Sequence, residues 1–256
     1  MGDIFSLNGK VIVITGATRG LGWAMAQSMA AAGGHVVVNG RNPDAVAARV
    51  RDLDGAGHSA SPAVFDVTDP EASAAVLNEV ADAHGGLDVL VNNAANSPPR
   101  PVALDKLTDE HWAEVIDTNL TACVFLSRAA ARLMIPRGSG RIIMISSLRS
   151  VAARPNISIY TAAKAGLNGL TWALAVELGP QGITCNAIAP GFIATEATDQ
   201  LRDNSEQNAY VTERTPLGRW GRPDEIGSVA VFLASEAASF VNGHVLFVDG
   251  GKTIAE

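Results

Sequence analysis

The sequence predicts an α/β protein in which a doubly wound, seven-stranded parallel sheet forms a single domain over residues 1–256. Short runs of β-branched residues alternate with longer alanine-rich stretches, which is typical of βα units around a sheet that is buried on both faces. The composition, 47% hydrophobic and 18% charged residues, allows a core large enough to cover such a sheet.

The alternating runs place the elements along the chain. We expect strands at 11–15, 35–39, 63–65, 89–92, 141–146, 183–189 and 245–248. We expect helices at 21–32, 43–53, 70–84, 109–134, 160–178 and 223–234. The segment 191–220 has weak periodicity, and because segments of about thirty irregular residues in compact domains are usually functional, we expect it to form the substrate loop.

Bulk composition excludes several classes of function. The formal net charge of −7 argues against a nucleic-acid-binding surface, which needs clustered Lys and Arg. Cys123 and Cys185 lie in apolar runs without metal-ligand spacing, so we expect core residues, no metal site and a reducing compartment. The first residues do not resemble a signal peptide, and no stretch approaches the roughly 18 apolar residues of a membrane-spanning helix. We expect a cytoplasmic protein.

The sequence TGATRGLG follows the first predicted strand and leads directly into a helix. Glycines there allow a tight turn and close approach of a pyrophosphate, whose charge is met by free N–H groups and by the helix dipole. A glycine-rich turn alone is a weak signal, but a strand before it and a helix after it favour dinucleotide binding. The predicted contacts in this loop are Gly16, Thr18, Arg19, Gly20, Leu21 and Gly22.

The sequence SIYTAAKAG places Tyr160 one helical turn before Lys164, so both side chains share a face. Such a pair alone occurs in many helices. A free tyrosine has a pKa of about 10, so that acid/base work near neutrality needs a nearby cation, which a lysine at this spacing supplies. Upstream, the run RIIMISS ends at Ser147, and DTNL contains Asn119. Ser146 is the nearest rival to Ser147, and strand alternation would point the two in opposite directions.

The loop spacing T-G-x-x-x-G-x-G, together with Asn119, Ser147, Tyr160 and Lys164, resembles the short-chain dehydrogenase/reductase family over nearly the whole chain. The resemblance implies a Rossmann-type fold, a homotetramer and hydride transfer between a nicotinamide cofactor and a carbonyl carbon. It implies that Tyr160 exchanges the proton, that Lys164 also binds the nicotinamide ribose and that Ser147 hydrogen-bonds the substrate oxygen. Asn119 would hold a water that relays protons toward Lys164.

The resemblance also locates the rest of the cofactor site. Family members that use NAD carry an acidic residue where this chain has Gly40, which is followed by Arg41; with Arg19, this favours NADP over NAD. Asp66 and Val67 would contact adenine. The remaining implied contacts are Asn93, Ala94 and Ala95, where the family usually has N-N-A-G, and Pro190, Gly191, Ile193 and Thr195 beside the nicotinamide.

The substrate is predicted from weaker signals. Phrases such as RTPLGRWG and SFVNGHVLFVDGG resemble a group within the family that interconverts gluconate and 5-ketogluconate. A carboxylate substrate favours a cation, and the candidates are Arg149, Arg154 and Arg100. The alternatives are a 3-oxoacyl-acyl carrier protein reductase or other ketone reductase and, more remotely, a non-catalytic NADP-binding protein, for which a damaged catalytic set would be expected.

Overall fold

The structure, a computed structural model, describes residues 3–96 and 102–255. These residues form a parallel sheet of seven strands in the order β3-β2-β1-β4-β5-β6-β7. The strands are β1 Val11–Ile14, β2 His35–Gly40, β3 Ala60–Val64, β4 Val89–Asn92, β5 Gly140–Ile145, β6 Ile183–Pro190 and β7 Val245–Val248. The predicted fold class, a doubly wound parallel sheet of the Rossmann type, is confirmed.

Side chains alternate along each strand and build a hydrophobic core on both faces of the sheet. In β1, Val11 and Val13 pack into one core, whereas Ile12 and Ile14 pack into the other. All four are buried, as expected for a parallel strand covered on both sides. The edge strand β7 differs because each of its residues is only partly buried in the single chain.

Helices connect the strands and cover both faces. They are α1 Gly20–Ala31, α2 Pro43–Gly55, α3 Pro70–His84, α4 Asp109–Ile116, α5 Ala122–Met134, α6 Ser158–Leu178, α7 Asp199–Asp203, α8 Ser205–Glu213 and α9 Pro223–Ala234. Asn42 and Asp69 start α2 and α3 by accepting hydrogen bonds from first-turn N–H groups, and a proline follows each. Within the described ranges, no helix has both the length and the apolar character needed to cross a membrane.

Three predicted segments differ from the structure. The helix predicted over 109–134 is divided into α4 and α5 by a π-helical turn, Asp117–Thr121. The strand predicted over 63–65 is Ala60–Val64, in which Pro62 is tolerated because β3 is an edge strand. The segment 191–220, predicted as a loop, contains the two short helices α7 and α8.

The strand order reverses at β1, which pairs with β2 on one side and with β4 on the other. In open α/β sheets, ligands bind in the crevice that such a reversal creates outside the carboxyl ends of the strands. The loops that follow β1 and β4 therefore flank the expected position of a ligand.

Candidate active site

A cleft of about 1110 Å³ lies at this reversal. All the residues predicted to bind the cofactor line it, from Gly16 after β1 to Thr195 after β6. Ser147, Tyr160 and Lys164 of the predicted catalytic set line it as well. The fold thus brings side chains from distant parts of the chain to one crevice.

The loop after β1 takes backbone conformations that require glycine. Gly16 and Gly20 have φ angles of 62° and 56°, in the left-handed region. Gly22 has ordinary φ, but a Cβ there would collide with the carbonyl oxygen of Gly16. Among the described residues, no side chain caps α1 at Arg19, so its first turn faces the cleft with backbone N–H groups available to a phosphate.

Two asparagines hold the glycine loop in place. Asn93 Nδ2 donates to the carbonyl oxygens of Thr15 (2.7 Å) and Gly16 (3.1 Å). The Gly16 N–H donates to Asn39 Oδ1 at 3.1 Å. Asn39 Nδ2 in turn donates to the backbone oxygens at the end of β3. The loop is therefore preorganised by its neighbours before any ligand binds.

The end of the cleft near β2 and β3 carries two arginines. A Cβ at Gly40 would lie 2.8 Å from Thr18 Cγ2, so this position has little room for an acidic side chain. Arg41 Nη1 lies 3.6 Å from Asp66 Oδ2, and the Arg41 side chain is 80% exposed. The Thr68 N–H is the main cause that lowers the pKa of Asp66 below its ordinary value. Arg19 is exposed at the same cleft, so this end fits a phosphate on a ribose.

Tyr160 and Lys164 lie at the opposite end of the cleft, on α6. Lys164 is 3% exposed, and its Nζ lies 5.8 Å from the centroid of the Tyr160 ring. Nζ donates a 2.7 Å hydrogen bond to the Ile145 carbonyl, which fixes the ammonium beneath the tyrosine. The fold thus holds a buried amine next to the ring of Tyr160.

The two serines after β5 face different partners. Ser147 Oγ accepts a hydrogen bond from the Arg149 N–H at 3.1 Å, so its own hydrogen can be donated to a ligand. Ser146 Oγ donates to Asn168 Oδ1 at 2.7 Å, inside the protein. Ser147 is therefore the serine whose hydroxyl can donate a hydrogen bond to a ligand in the cleft, as the predicted alternation implies.

Asn119 lies in the π-helical turn, fully buried behind Asn96. Its Oδ1 accepts from the Asn96 N–H and its Nδ2 donates to the Asn96 carbonyl, both at 2.7 Å. The side chain thus anchors the segment that follows β4. A water held by Asn119 would have to bind its backbone carbonyl, because Asn96 takes both polar atoms of the side chain.

The arginines predicted for substrate lie beside the cleft or outside the described residues. The Arg149 guanidinium lies 5.5 Å from the centroid of the Phe192 ring, and Nη1 donates to the Ala152 carbonyl. Burial, and next the charge of Arg154, lower the pKa of Arg149, so the two cations are close. Arg154 is exposed. Arg100 falls between the described ranges.

Sequence reasoning missed several polar residues of the cleft. A polar residue ending an apolar strand, as Asn39 does in VVVNG, is a signal that could have identified one of them. The acidic residues on α4 and in the π turn have no such signal because their pattern is that of any solvated helix face. The polar residues that line the cleft without having been predicted are Asn39, Thr68, Asn96, Glu114, Asp117, Thr118, Ser146, Glu196 and Thr198.

Comparisons with known proteins agree with this geometry. Residues 16–253 match the family profile described as enoyl-(acyl carrier protein) reductase. The chain is 42% identical to gluconate 5-dehydrogenase of Gluconobacter oxydans, covering 99% of this chain and 98% of that protein. It is 38% identical to a 3-oxoacyl-[acyl-carrier-protein] reductase of Vibrio cholerae, covering 96% and 98%. A gluconate 5-dehydrogenase of Burkholderia cenocepacia, solved with NADP and tartrate, superposes with a TM-score of 0.95 at 40% identity, covering 99% of both chains.

Proposed function

The chain belongs to the short-chain dehydrogenase/reductase family of oxidoreductases, and from that premise we propose that it transfers a hydride between NADP(H) and a sugar acid. The proposed pair is gluconate and 5-ketogluconate. The observation that carries the proposal is the cleft that joins a phosphate-binding glycine loop to Tyr160, Lys164 and Ser147.

NADP is favoured by the residues at the β2 end of the cleft. Gly40 leaves little space for the acidic side chain that would bind a ribose 2′-hydroxyl, and Arg41 and Arg19 offer donors to a 2′-phosphate. A related gluconate 5-dehydrogenase was solved with NADP. The adenosine would lie by Asp66 and Val67, and the nicotinamide by Pro190 to Thr195.

The bound cofactor would supply or accept the hydride at the carbon that bears the oxygen. Tyr160 would donate a proton to that oxygen in reduction and remove it in oxidation. Ser147 would donate its hydroxyl hydrogen to the same oxygen and stabilise the charge that develops there. Lys164 would favour the phenolate and bind the ribose, while Asn119 would hold a water toward Lys164 through its backbone carbonyl.

The proposed substrate fits the cations beside the tyrosine. Arg149 and Arg154 carry positive charge next to the catalytic end of the cleft, where a sugar acid would place its carboxylate. We include Arg100 as a third candidate on sequence grounds. We further propose that residues 1–256 act as one domain in which 191–220 serves as the substrate loop, because Ile193 and the residues from Thr195 to Thr198 line the cleft.

A 3-oxoacyl-acyl carrier protein reductase is the second candidate, since a relative of that name matches nearly the full chain. An acidic carrier protein would favour basic side chains around the site entrance. Glu114, Asp117 and Glu196 instead contribute acidic side chains to the cleft. Because a sugar acid and an acidic carrier are both anions, Arg149 and Arg154 suit either one, and kinetics must separate the two candidates.

Steady-state kinetics separates the two candidates. Purified protein is assayed with NADPH and with NADH against 5-ketogluconate and against an acetoacetyl thioester. We expect turnover of the keto acid with a preference for NADPH. Turnover of the thioester with none of the keto acid would replace the sugar-acid proposal with the reductase.

We also propose a homotetramer that acts in the cytoplasm. Trp172 and Val176 are 55% and 80% exposed, one turn apart on α6, and the edge strand β7 is only partly buried. Apolar surface of this kind favours subunit contacts. Light scattering should give four chains for the native protein and fewer for Trp172→Glu, with Ile4→Glu on the N-terminal segment as the control. Cell fractionation tests the proposed cytoplasmic location.

A further inference from the structure

A buried chain of polar side chains lies beneath the catalytic end of the cleft. Ser146, Ser150 and Asn168 are 3%, 8% and 5% exposed. Buried polar groups are costly unless they are hydrogen-bonded, so a satisfied cluster at this depth constrains its neighbours strongly.

The hydrogen bonds of this cluster form a chain of donors and acceptors that begins at the Ser146 hydroxyl and ends at the Ser147 carbonyl. Asn168 Nδ2 donates to Ser150 Oγ at 3.0 Å, and Ser150 Oγ donates to the Ser147 carbonyl at 2.7 Å. The other end of the amide, Asn168 Oδ1, accepts from Ser146 Oγ at 2.7 Å. Because Ser150 gives its single hydrogen to the Ser147 carbonyl, its oxygen accepts from Asn168 Nδ2, and this orients the amide. Ser146 Oγ has a second, longer acceptor in the Lys164 carbonyl at 3.2 Å, also on α6.

Asn168 continues the spacing of the catalytic pair. Tyr160, Lys164 and Asn168 are each four residues apart on α6, so they lie on one face of the helix. Lys164 Nζ holds the carbonyl of Ile145, and Asn168 holds the next two residues, Ser146 directly and Ser147 through Ser150. The end of β5 is thereby tied to the helix that carries the tyrosine.

We propose, resting on the function proposed above, that Asn168 is a positioning residue for Ser147. By fixing Ser146 and, through Ser150, the Ser147 backbone, it sets the place of the Ser147 hydroxyl relative to Tyr160. Both hydroxyls can then reach one substrate oxygen. The catalytic pattern of α6 extends one turn into the core, as Tyr-x-x-x-Lys-x-x-x-Asn.

Two variants test this role, and a third controls for stability. Asn168→Leu removes the amide at similar volume, and Ser150→Ala removes only the last link. Thr171→Val removes another buried hydrogen bond on the same helix, from Thr171 Oγ1 to the Leu167 carbonyl, away from the cluster. We expect kcat to fall on the order of 10-fold or more in the first two, because small displacements of catalytic groups are costly, and to stay unchanged in Thr171→Val.

The decisive measurement is the double variant with Ser147→Ala. If Ser150 acts through Ser147, Ser150→Ala should not lower the residual kcat of Ser147→Ala any further. NADPH affinity, measured by fluorescence, should be unchanged throughout. An equal loss of kcat in both backgrounds, or a loss in Thr171→Val as large as in Asn168→Leu, would overturn the proposal. Wild-type turnover of 5-ketogluconate, measured in parallel, tests the proposed function separately.

Discussion

At the scale of single residues, the room around a glycine decides whether the protein tolerates a larger side chain there. Gly22 and Gly55 both lie in helices, yet a Cβ at Gly22 would collide with the Gly16 carbonyl, whereas a Cβ at Gly55 would meet nothing within 4 Å. The first glycine serves the close packing of α1 on its loop. The second contributes only conformational freedom to the unfolded chain.

We therefore expect Gly22→Ala to lower the free energy of unfolding by about 1–3 kcal/mol, because the methyl meets backbone that cannot move easily. NADPH affinity should fall as well. Gly55→Ala on α2, the matched control, should raise the free energy of unfolding by about 0.5–1 kcal/mol. Urea denaturation and NADPH titration measure both effects; equal stability changes in the two variants would contradict the packing role of Gly22.

Arg41 is expected to distinguish the two cofactors. Loss of a charge-assisted hydrogen bond costs about 1.5–3 kcal/mol, so Arg41→Ala should raise the KM for NADPH roughly 10-fold or more. The KM for NADH should change little because NADH lacks the 2′-phosphate. Arg51→Ala, an exposed arginine on α2, is the control. A parallel rise of both KM values would show that Arg41 does not bind the 2′-phosphate.

At the scale of elements, strongly patterned segments could be predicted from the sequence and irregular ones could not. The strand at 89–92 and the helices at 70–84 and 223–234 match the structure because apolar runs and Asp or Pro signals mark their ends. The π turn was not predicted because its sequence, DTNLT, has the pattern of an ordinary α-helix. The wider turn depends on tertiary contacts, such as those of Asn119 with Asn96.

The candidate site shows the same division. The loop glycines, Tyr160 and Lys164 could be recognised because their chemistry depends on local spacing. The contribution of Asn168 could not, because it arises from contacts with β5 that a sequence does not display. Helices α7 and α8 were missed because they are only five and nine residues long.

Two side-chain hydrogen bonds attach the helix α8 to the chain that follows it: Trp220 Nε1 donates to Asn208 Oδ1 at 2.6 Å, and Thr215 Oγ1 donates to the Val211 carbonyl at 2.7 Å. The Trp220 ring also meets Phe192 edge-on, at 5.6 Å between centroids. Asn208→Ala should loosen this part of the substrate loop and raise the KM for the sugar acid several-fold, while NADPH affinity is retained. Gln207→Ala, the exposed neighbour, should have no effect. Loss of NADPH affinity in Asn208→Ala would assign the loop to the cofactor instead.

At the scale of the whole molecule, a histidine pair makes stability depend on pH. The His35 and His84 rings lie 4.1 Å apart, and His35 contacts Ser59 and Ser61 through its two nitrogens. Burial, and next the charge of His84, lower the pKa of His35 below 6.5, while Asp54 partly opposes this shift. The folded state therefore favours neutral His35.

Because the unfolded chain then binds the proton more readily, the free energy of unfolding should fall as pH decreases below the ordinary histidine value of 6.5. His84→Gln removes the like charge and should make this decline shallower. His244→Gln, exposed next to the opposite edge of the sheet, should leave it as in the wild type. Urea midpoints between about pH 7.5 and pH 5.5 measure the slope; identical slopes in all three proteins would contradict the coupling.

Hydride transfer with Tyr160 as the proton donor is tested most directly by following the hydrogen that NADPH delivers to the substrate. The protein is incubated with 5-ketogluconate and NADPH that carries deuterium at both C4 positions, and the product is examined by mass spectrometry and NMR. We predict gluconate with one deuterium at C5 from the wild type, and none from Tyr160→Phe although that variant still binds NADPH. Unlabelled gluconate, no gluconate from the wild type, or equal labelling by Tyr160→Phe would contradict the proposed chemistry.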